Sequence, residues 1–148
     1  TYHGGDLRLA RLELGASWKH VTNIYGAPFR RKVEKIESPN NPDYVVYLTS
    51  WIYPDFEVCF LNSVEKSLPK PEEPGNVFAI TVKSNKFQSY RGIRVGDPVG
   101  KVVERYGPAS TGILDESGSK FYEWQLNYIK FGVSRGKVSN IEVSQNPD

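Results

Sequence analysis

Cys59 is the side chain of this 148-residue sequence that could act as a thiol nucleophile, and it is the only cysteine. A catalytic thiol needs a neighbouring base and a lowered pKa. The two histidines are His3, close to the start of the sequence, and His20, on a predicted helix that covers the other side of the predicted sheet. We therefore interpret Cys59 as an ordinary strand residue. A single cysteine also excludes an intrachain disulfide and a cysteine-based metal site.

Paired carboxylates could support glycoside hydrolysis, which places two of them around one bond. The pairs Glu72-Glu73 and Asp115-Glu116 lie beside Gly, Ser or Pro, as is typical of solvated turns. The segment 132–136, GVSRG, has the spacing of a hydrolase nucleophile elbow. It lies between two predicted antiparallel strands, whereas an elbow joins a strand to a helix. The sequence thus predicts no catalytic residues, no metal site and no cofactor, and a protein that is not an enzyme.

Aromatic and charged side chains remain as candidates for binding. Strand alternation allows Trp51 and Trp124 either to pack in the core or to form an aromatic binding patch, whereas Tyr53 is expected to be exposed in a turn that contains Pro54. The predicted open face of the sheet carries mixed charges, which suits a protein or an edge strand better than a small apolar molecule. That face comprises Glu57, Cys59, Thr81, Lys83, Lys130, Asn140 and Glu142. The candidate binding residues are Trp51, Tyr53, Glu57, Lys83, Lys130 and Glu142.

The overall composition narrows the classes of partner. The 19 basic and 17 acidic residues are scattered, and the longest basic cluster, Arg30–Lys32, is followed at once by Glu34 and Glu37. A nucleic-acid-binding protein usually shows a concentrated basic stripe, so no nucleic acid is predicted. No apolar run approaches the ~20 residues that span a bilayer, so no membrane span is predicted within the sequence.

An internal repeat organises the chain. The segments 12–28 and 93–108 align at one offset of 81 residues, and each ends in a Tyr-Gly pair with a nearby Pro. The aligned pairs are Gly15 with Gly96, Val21 with Val102, Tyr25 with Tyr106 and Gly26 with Gly107. Such repeats decide an architecture before single residues do.

Each repeat begins with a predicted helix. Ser17 and Asp97 are the expected N-caps, and Pro98 is expected at the first helical position. Gly26 and Gly107 are expected to end the two helices in a left-handed conformation.

After each helix the apolar period changes to two, which indicates strands. The predicted strands are 44–51, 56–61 and 77–84 in the first repeat, and 121–126, 128–133 and 138–144 in the second. The predicted fold is α+β: two tandem repeats, each a helix plus a three-stranded meander, share one antiparallel sheet with both helices on one face. The chain is predicted to form one domain, 1–148, with repeat one at 7–84, a linker at 85–90 and repeat two at 91–144.

A long insertion distinguishes the two repeats. Residues 62–76 of the first repeat contain three prolines and charges of both signs, where the second repeat has a four-residue turn. A surface loop of this length is either functional or disordered.

The duplicated signature, apolar-x-apolar-Gly, helix, Tyr-Gly-x-Pro and three strands, resembles the beta-lactamase-inhibitor-protein-like (BLIP-like) superfamily. That superfamily also includes the small outer-membrane lipoprotein of the bacterial barrel-assembly machinery. The resemblance covers about residues 12–143. It implies a bacterial protein that is secreted or attached to the cell envelope and that binds other proteins without catalysis. The inhibitor carries a disulfide in each repeat, which Cys59 alone cannot supply.

The resulting hypothesis is a non-enzymatic, extracytoplasmic module that binds a protein through the open sheet face and the 62–76 loop. The alternative is a carrier of a small ligand or peptide, with its site between sheet and loop and with Trp51 and Tyr53 lining it. A lipid anchor upstream of Thr1 is compatible with either hypothesis. The sequence leaves the partner's identity and the oligomeric state open.

Overall fold

The computed structural model describes residues 7–38, 40–107, 111–114, 120–124 and 129–145, with the backbone alone in 111–114 and 120–124. Within these residues lie two helices and ten strands, and the α+β class is confirmed. The helices are α1, Trp18–Tyr25, and α2, Val99–Tyr106. The strands are β1 Arg8–Leu9, β2 Leu12–Glu13, β3 Arg30–Glu37, β4 Tyr44–Ile52, β5 Phe56–Glu65, β6 Asn76–Val82, β7 Thr111–Leu114, β8 Lys120–Trp124, β9 Ile129–Ser134 and β10 Lys137–Ser144.

One antiparallel sheet holds eight of the strands. Its order is β3-β4-β5-β6-β10-β9-β8-β7, so the last strands of the two halves meet at its centre. There Ile141 pairs with Val82, and Val143 pairs with Ile80. The short strands β1 and β2 form a separate hairpin. The antiparallel sheet of the prediction is therefore confirmed.

The prediction of three strands after each helix is wrong, because four strands follow each one. The additional strands are β3 after α1 and β7 after α2. All eight residues of β3 are exposed. An edge strand with solvent on both sides has no reason to alternate apolar and polar residues, so the segment 30–37 shows no strand period. Strand β7 occupies the opposite edge of the sheet.

Both helices end at a glycine, as predicted, but the caps differ from the expected left-handed geometry. Gly26 has φ 73° and ψ −160°, and Gly107 has φ 84° and ψ −167°. This region of positive φ with an extended ψ is essentially restricted to glycine. Each cap N–H still donates to the carbonyl four residues earlier, Thr22 O or Val103 O, and the chain then turns sharply away.

The helix starts are predicted correctly in α1 and one residue too early in α2. The Ser17 side chain accepts from the His20 N–H and caps α1. In α2 the N-cap is Pro98, without a side-chain capping bond. The Asp97 carboxylate instead accepts a hydrogen bond from the Arg94 N–H at 2.8 Å. It therefore closes the turn before the helix and does not cap the helix itself.

Both helices pack on the same face of the sheet. The Tyr25 ring lies 4.6 Å from the Phe56 ring, and the Tyr106 ring lies 5.1 Å from the Phe131 ring. Phe56 and Phe131 share one face, because Val82 and Ile141 connect them as consecutive cross-strand partners. Val21 and Val102 are fully buried in the same core. The opposite face of the sheet is therefore left without a helix from the described part of the chain.

The two halves use equivalent backbone contacts to hold their helices. Gly15 N–H donates to Val77 O, and Gly96 N–H donates to Val138 O, both at 2.8 Å. Each Tyr of the Tyr-Gly pairs also bonds back to the hairpin or turn before its helix: Tyr25 to Ala10 O, and Tyr106 to the Ser89 hydroxyl at 2.9 Å. That this correspondence arose by tandem duplication stays a prediction. The predicted domain and linker boundaries stay predictions as well.

The inserted segment is shorter as a loop than predicted. Residues 62–65 continue β5, and Asn76 begins β6, so the loop comprises residues 66–75. The end of the loop is held near β5 by a hydrogen bond, in which the Asn62 side-chain amide donates to Glu73 O at 3.1 Å.

Candidate functional site

The face of the sheet opposite the helices, here called the open face, carries a polar row across its centre. In this row Glu57 pairs with Thr81, Thr81 with Glu142, and Glu142 with Lys130. The Thr81 hydroxyl donates to Glu142 Oε1 at 3.3 Å, and Lys130 Nζ lies 3.8 Å from Glu142 Oε2. The structure thus brings together three of the predicted site residues. Lys83, the fourth predicted charge, is exposed one residue beyond the end of β6.

Cys59 lies next to this row, on the open face as predicted. Burial raises the pKa of the Cys59 thiol; a hydrogen bond with Ser50 lowers it, and the carboxylates of Glu57, Glu142 and Glu34 raise it further. A raised pKa disfavours the thiolate, which is the nucleophilic form. The local electrostatics therefore oppose a role for Cys59 as a nucleophile.

An apolar patch, which the sequence analysis missed, lies on the same face, and Cys59 separates it from the polar row along β5. It consists of Ile36, Val46, Leu48 and Leu61. Ile36 pairs with Val46, and Leu48 pairs with Leu61, so the four side chains form one contiguous group. Val46, Leu48 and Leu61 are half-buried, and Ile36 is 37% exposed. Apolar residues at every position of Val45–Leu48 are the signal that could have located this patch, because a strand covered on one face alone alternates.

The two aromatic candidates, Trp51 and Tyr53, lie on the helix-bearing face. Trp51 is 5% exposed, and its ring lies 4.7 Å from the Phe60 ring and 6.4 Å from the Trp18 ring. The expectation that Tyr53 is exposed is wrong. Tyr53 is 7% exposed, stacks on Phe56, and donates from its hydroxyl to Gly26 O at 2.9 Å. Burial raises the pKa of Tyr53 above its ordinary value.

A groove runs between the 66–75 loop, α1 and β3–β4, on the helix-bearing face. It consists of two adjoining pockets of about 460 Å³ each. The pockets share Arg31, Trp51, Glu72, Glu73 and Pro74; the one nearer the sheet edge adds Val33, Thr49, Lys70 and Pro71, and the other adds Trp18, Thr22 and Ala27. The Arg31 guanidinium lies 5.4 Å from the centre of the Trp51 ring. Trp51 thus lines a site between sheet and loop, and Tyr53 does not.

The predicted binding surface is divided between two sides of the sheet. The loop lies over Thr49 and Trp51, whose side chains point toward the helices, whereas Glu57, Lys130 and Glu142 point the other way. The loop and the open face, which the sequence hypothesis assigned to one binding module, therefore lie on opposite sides of the sheet.

The described ranges contain neither a cluster of metal-ligating side chains nor a helix that could span a membrane. Among those residues, no three side chains of His, Cys, Asp or Glu come together as a metal site would require. Neither helix of the described chain has the length and apolar character needed to cross a bilayer.

Comparisons with known proteins identify no family. No family model matches the chain, and no curated protein matches it. Among solved structures, the chain is similar to a cysteine-rich secretory protein from Staphylococcus aureus subsp. aureus Mu50, with 10% identity and a TM-score of 0.40. That similarity covers 89% of this chain and 43% of the other, so the chain spans less than half the length of that protein.

Proposed function

We propose that this chain is a non-enzymatic module that binds a protein partner through the open face. The observation that carries the proposal is the apolar patch at Ile36, Val46, Leu48 and Leu61, which no described element covers. Clusters of exposed apolar side chains rimmed by polar groups are typical of protein interaction sites. The polar row on the same face supplies charges of both signs for orienting the partner.

The shape of the open face supports a protein over a small molecule. Small-molecule sites are concave and enclose most of their ligand. The strands on this face carry short or half-buried side chains such as Ser50, Cys59 and Ala79. A shallow surface that combines an apolar patch with a row of charged and polar side chains suits a protein interface.

Location outside the cytoplasm is part of the proposal. It rests on the resemblance of the two Gly…Tyr-Gly segments to the BLIP-like superfamily. Membership of that superfamily is proposed on the same resemblance. Secretion and attachment to the envelope by a lipid upstream of Thr1 are both compatible with it.

Site-specific photo-crosslinking tests the proposal. A photoreactive residue is placed at Leu48 or Leu61 on the open face, with Glu104 on the exposed side of α2 as the matched control. In native cells we expect one protein adduct from both open-face positions and none from position 104. Adducts from position 104 alone, or no adduct from either open-face position while the variants remain folded, would contradict the proposal.

The groove supports a second candidate function, carriage of a small ligand or peptide. Its two adjoining pockets have the size range of ligand sites, and their walls combine Trp18 and Trp51 with Arg31 and two carboxylates. Ligand entry should change the fluorescence of Trp51, and the Trp51→Phe variant should lose most of that change. A panel of metabolites and short peptides that leaves the fluorescence unaltered would count against carriage.

A further inference from the structure

Strand β3 presents an open hydrogen-bonding edge. It is the terminal strand of the sheet, and it pairs with β4 in unbroken register from Arg30–Ile52 to Glu37–Val45. In the described chain, no strand other than β4 hydrogen-bonds to it. Strand edges are usually protected by charged side chains, prolines, bulges or a covering element. Between 30 and 37 the edge carries charged side chains, but there is no proline, no register shift and no covering element among the described residues.

The groove lies directly beside this edge. Arg31 and Val33 belong both to β3 and to the wall of the groove, and Val33 is 47% exposed. An added strand would run about 4.8 Å from β3. Its side chains on the helix-bearing face would then stand next to Val33 and could enter the pocket of about 460 Å³ formed with Trp51 and Pro71.

The opposite side of the same edge is charged. Arg30 and Lys32 point toward the open face, because their cross-strand partners are Ile52 and Ser50. Among the described side chains, neither has an ion pair within 4 Å, whereas Glu37 at the far end of the strand is paired with Lys66 at 3.1 Å. Acidic side chains on an added strand would therefore be attracted to this end of the edge.

We propose that β3 binds an extended peptide segment of a partner protein as a ninth strand, with apolar side chains in the groove and acidic side chains facing Arg30 and Lys32. This is strand addition, in which main-chain hydrogen bonds supply affinity and pockets for alternate side chains supply specificity. The proposal deepens the second candidate function, since it rests on the groove being a binding site. It is independent of the partner proposed for the open face.

The test uses an acetylated and amidated octapeptide of alternating Glu and Val as the probe. Two further versions carry N-methyl groups on alternate residues, in one phase or in the other. Because successive N–H groups of a strand point to opposite sides, one phase blocks hydrogen bonds to β3 and the other does not. We expect binding of the parent peptide and of one methylated phase alone. Amide hydrogen exchange should slow at every second residue of 30–37 when the peptide binds.

Charge variants give a second readout. Lys32→Glu should weaken binding of the Glu-Val octapeptide by about tenfold at low salt, since an attraction becomes a repulsion. Lys137→Glu makes the same change of net charge at the exposed start of β10 and should leave binding unchanged. The Lys32→Glu variant should bind a Lys-Val octapeptide more tightly than the parent protein does.

Four results would overturn the proposal. The first two concern binding: the octapeptide does not bind at millimolar concentration, or both methylated phases bind equally. The other two concern amide hydrogen exchange: residues 30–37 gain no protection when the peptide binds, or their protection rises with protein concentration in the absence of peptide. The last result would assign the edge to a second copy of the chain. Fluorescence changes at Trp51 on peptide binding without protection of β3 would leave the groove as a ligand site and reject strand addition. Failure of the open-face crosslinks would not affect these outcomes.

Discussion

Replacing glycines by alanine in and after α2 should change stability in opposite directions at two positions seven residues apart. Gly107 ends the helix at φ 84° and ψ −167°, whereas Gly100 lies inside the helix without a positive φ. An added Cβ would meet nothing within 4 Å at either position. Steric contact with neighbouring groups therefore contributes to neither result, and backbone conformation alone decides the sign.

The magnitude for Gly107→Ala follows from its backbone angles. Holding a residue with a side chain in this region costs of order 1–3 kcal/mol. Alanine also loses less entropy than glycine on folding, which offsets about 0.4–1 kcal/mol. The net expected loss in free energy of unfolding is about 1–2 kcal/mol. Gly26→Ala should show the same loss, because Gly26 has φ 73° and ψ −160°.

Gly100→Ala should instead stabilise the protein by at most about 0.5–1 kcal/mol, the difference between the two residues in a helix interior, since Gly100 is the second residue of α2. Chemical denaturation at one temperature measures all three variants. The melting temperature should fall by about 3–6 °C for Gly107→Ala and rise by at most about 2–3 °C for Gly100→Ala. Equal shifts of the same sign at positions 100 and 107 would refute the assigned end of α2.

Two further predictions concern single polar contacts. Tyr53→Phe should lower the free energy of unfolding by about 1 kcal/mol, since the Gly26 carbonyl loses its hydroxyl donor at 2.9 Å while the stacking on Phe56 is kept; a variant as stable as the parent in urea would contradict this. The Arg94 N–H, together with Lys101, holds the pKa of Asp97 below its ordinary value of 3.8. Ionised Asp97 therefore stabilises the fold at pH values above 3.8, and this contribution is lost as the pH falls through the lowered pKa. The stability advantage of the parent over Asp97→Asn should therefore be greatest near neutral pH and shrink below about pH 4, and a difference that is constant across pH would reject the assigned contact.

The helices and the inner strands could be predicted from the sequence because both leave a periodic apolar signal. Val99, Val102 and Tyr106 recur at helical spacing, and Phe56, Val58 and Phe60 alternate as a half-buried strand does. Glycine after each tyrosine marked both helix ends. The detailed cap geometry could not be predicted, since several positive-φ conformations accept glycine equally well.

The candidate site was harder to predict, because it depends on which side of the sheet each segment covers. Strand alternation placed Glu57, Lys130 and Glu142 on one face correctly. The course of the 66–75 loop depends on tertiary contacts such as that between Asn62 and Glu73, so its position on the opposite face left no local signal. Tyr53 follows a strand and precedes Pro54, as many exposed turn residues do. Its burial depends on tertiary contacts, the stacking on Phe56 and the hydrogen bond to the Gly26 carbonyl.

The native thiol of Cys59 offers the most direct measurement of whether a partner occupies the open face. Cys59 is half-buried next to the polar row, so a bound protein would shield it from an alkylating reagent. The control is Glu104→Cys in a Cys59→Ser background, which places the thiol on the exposed side of α2. We predict that Cys59 is alkylated at least about tenfold more slowly in native cells than in the purified protein, while the thiol at position 104 reacts at equal rates in both settings. Equal rates for Cys59 in the two settings would contradict the proposal that the open face binds a protein.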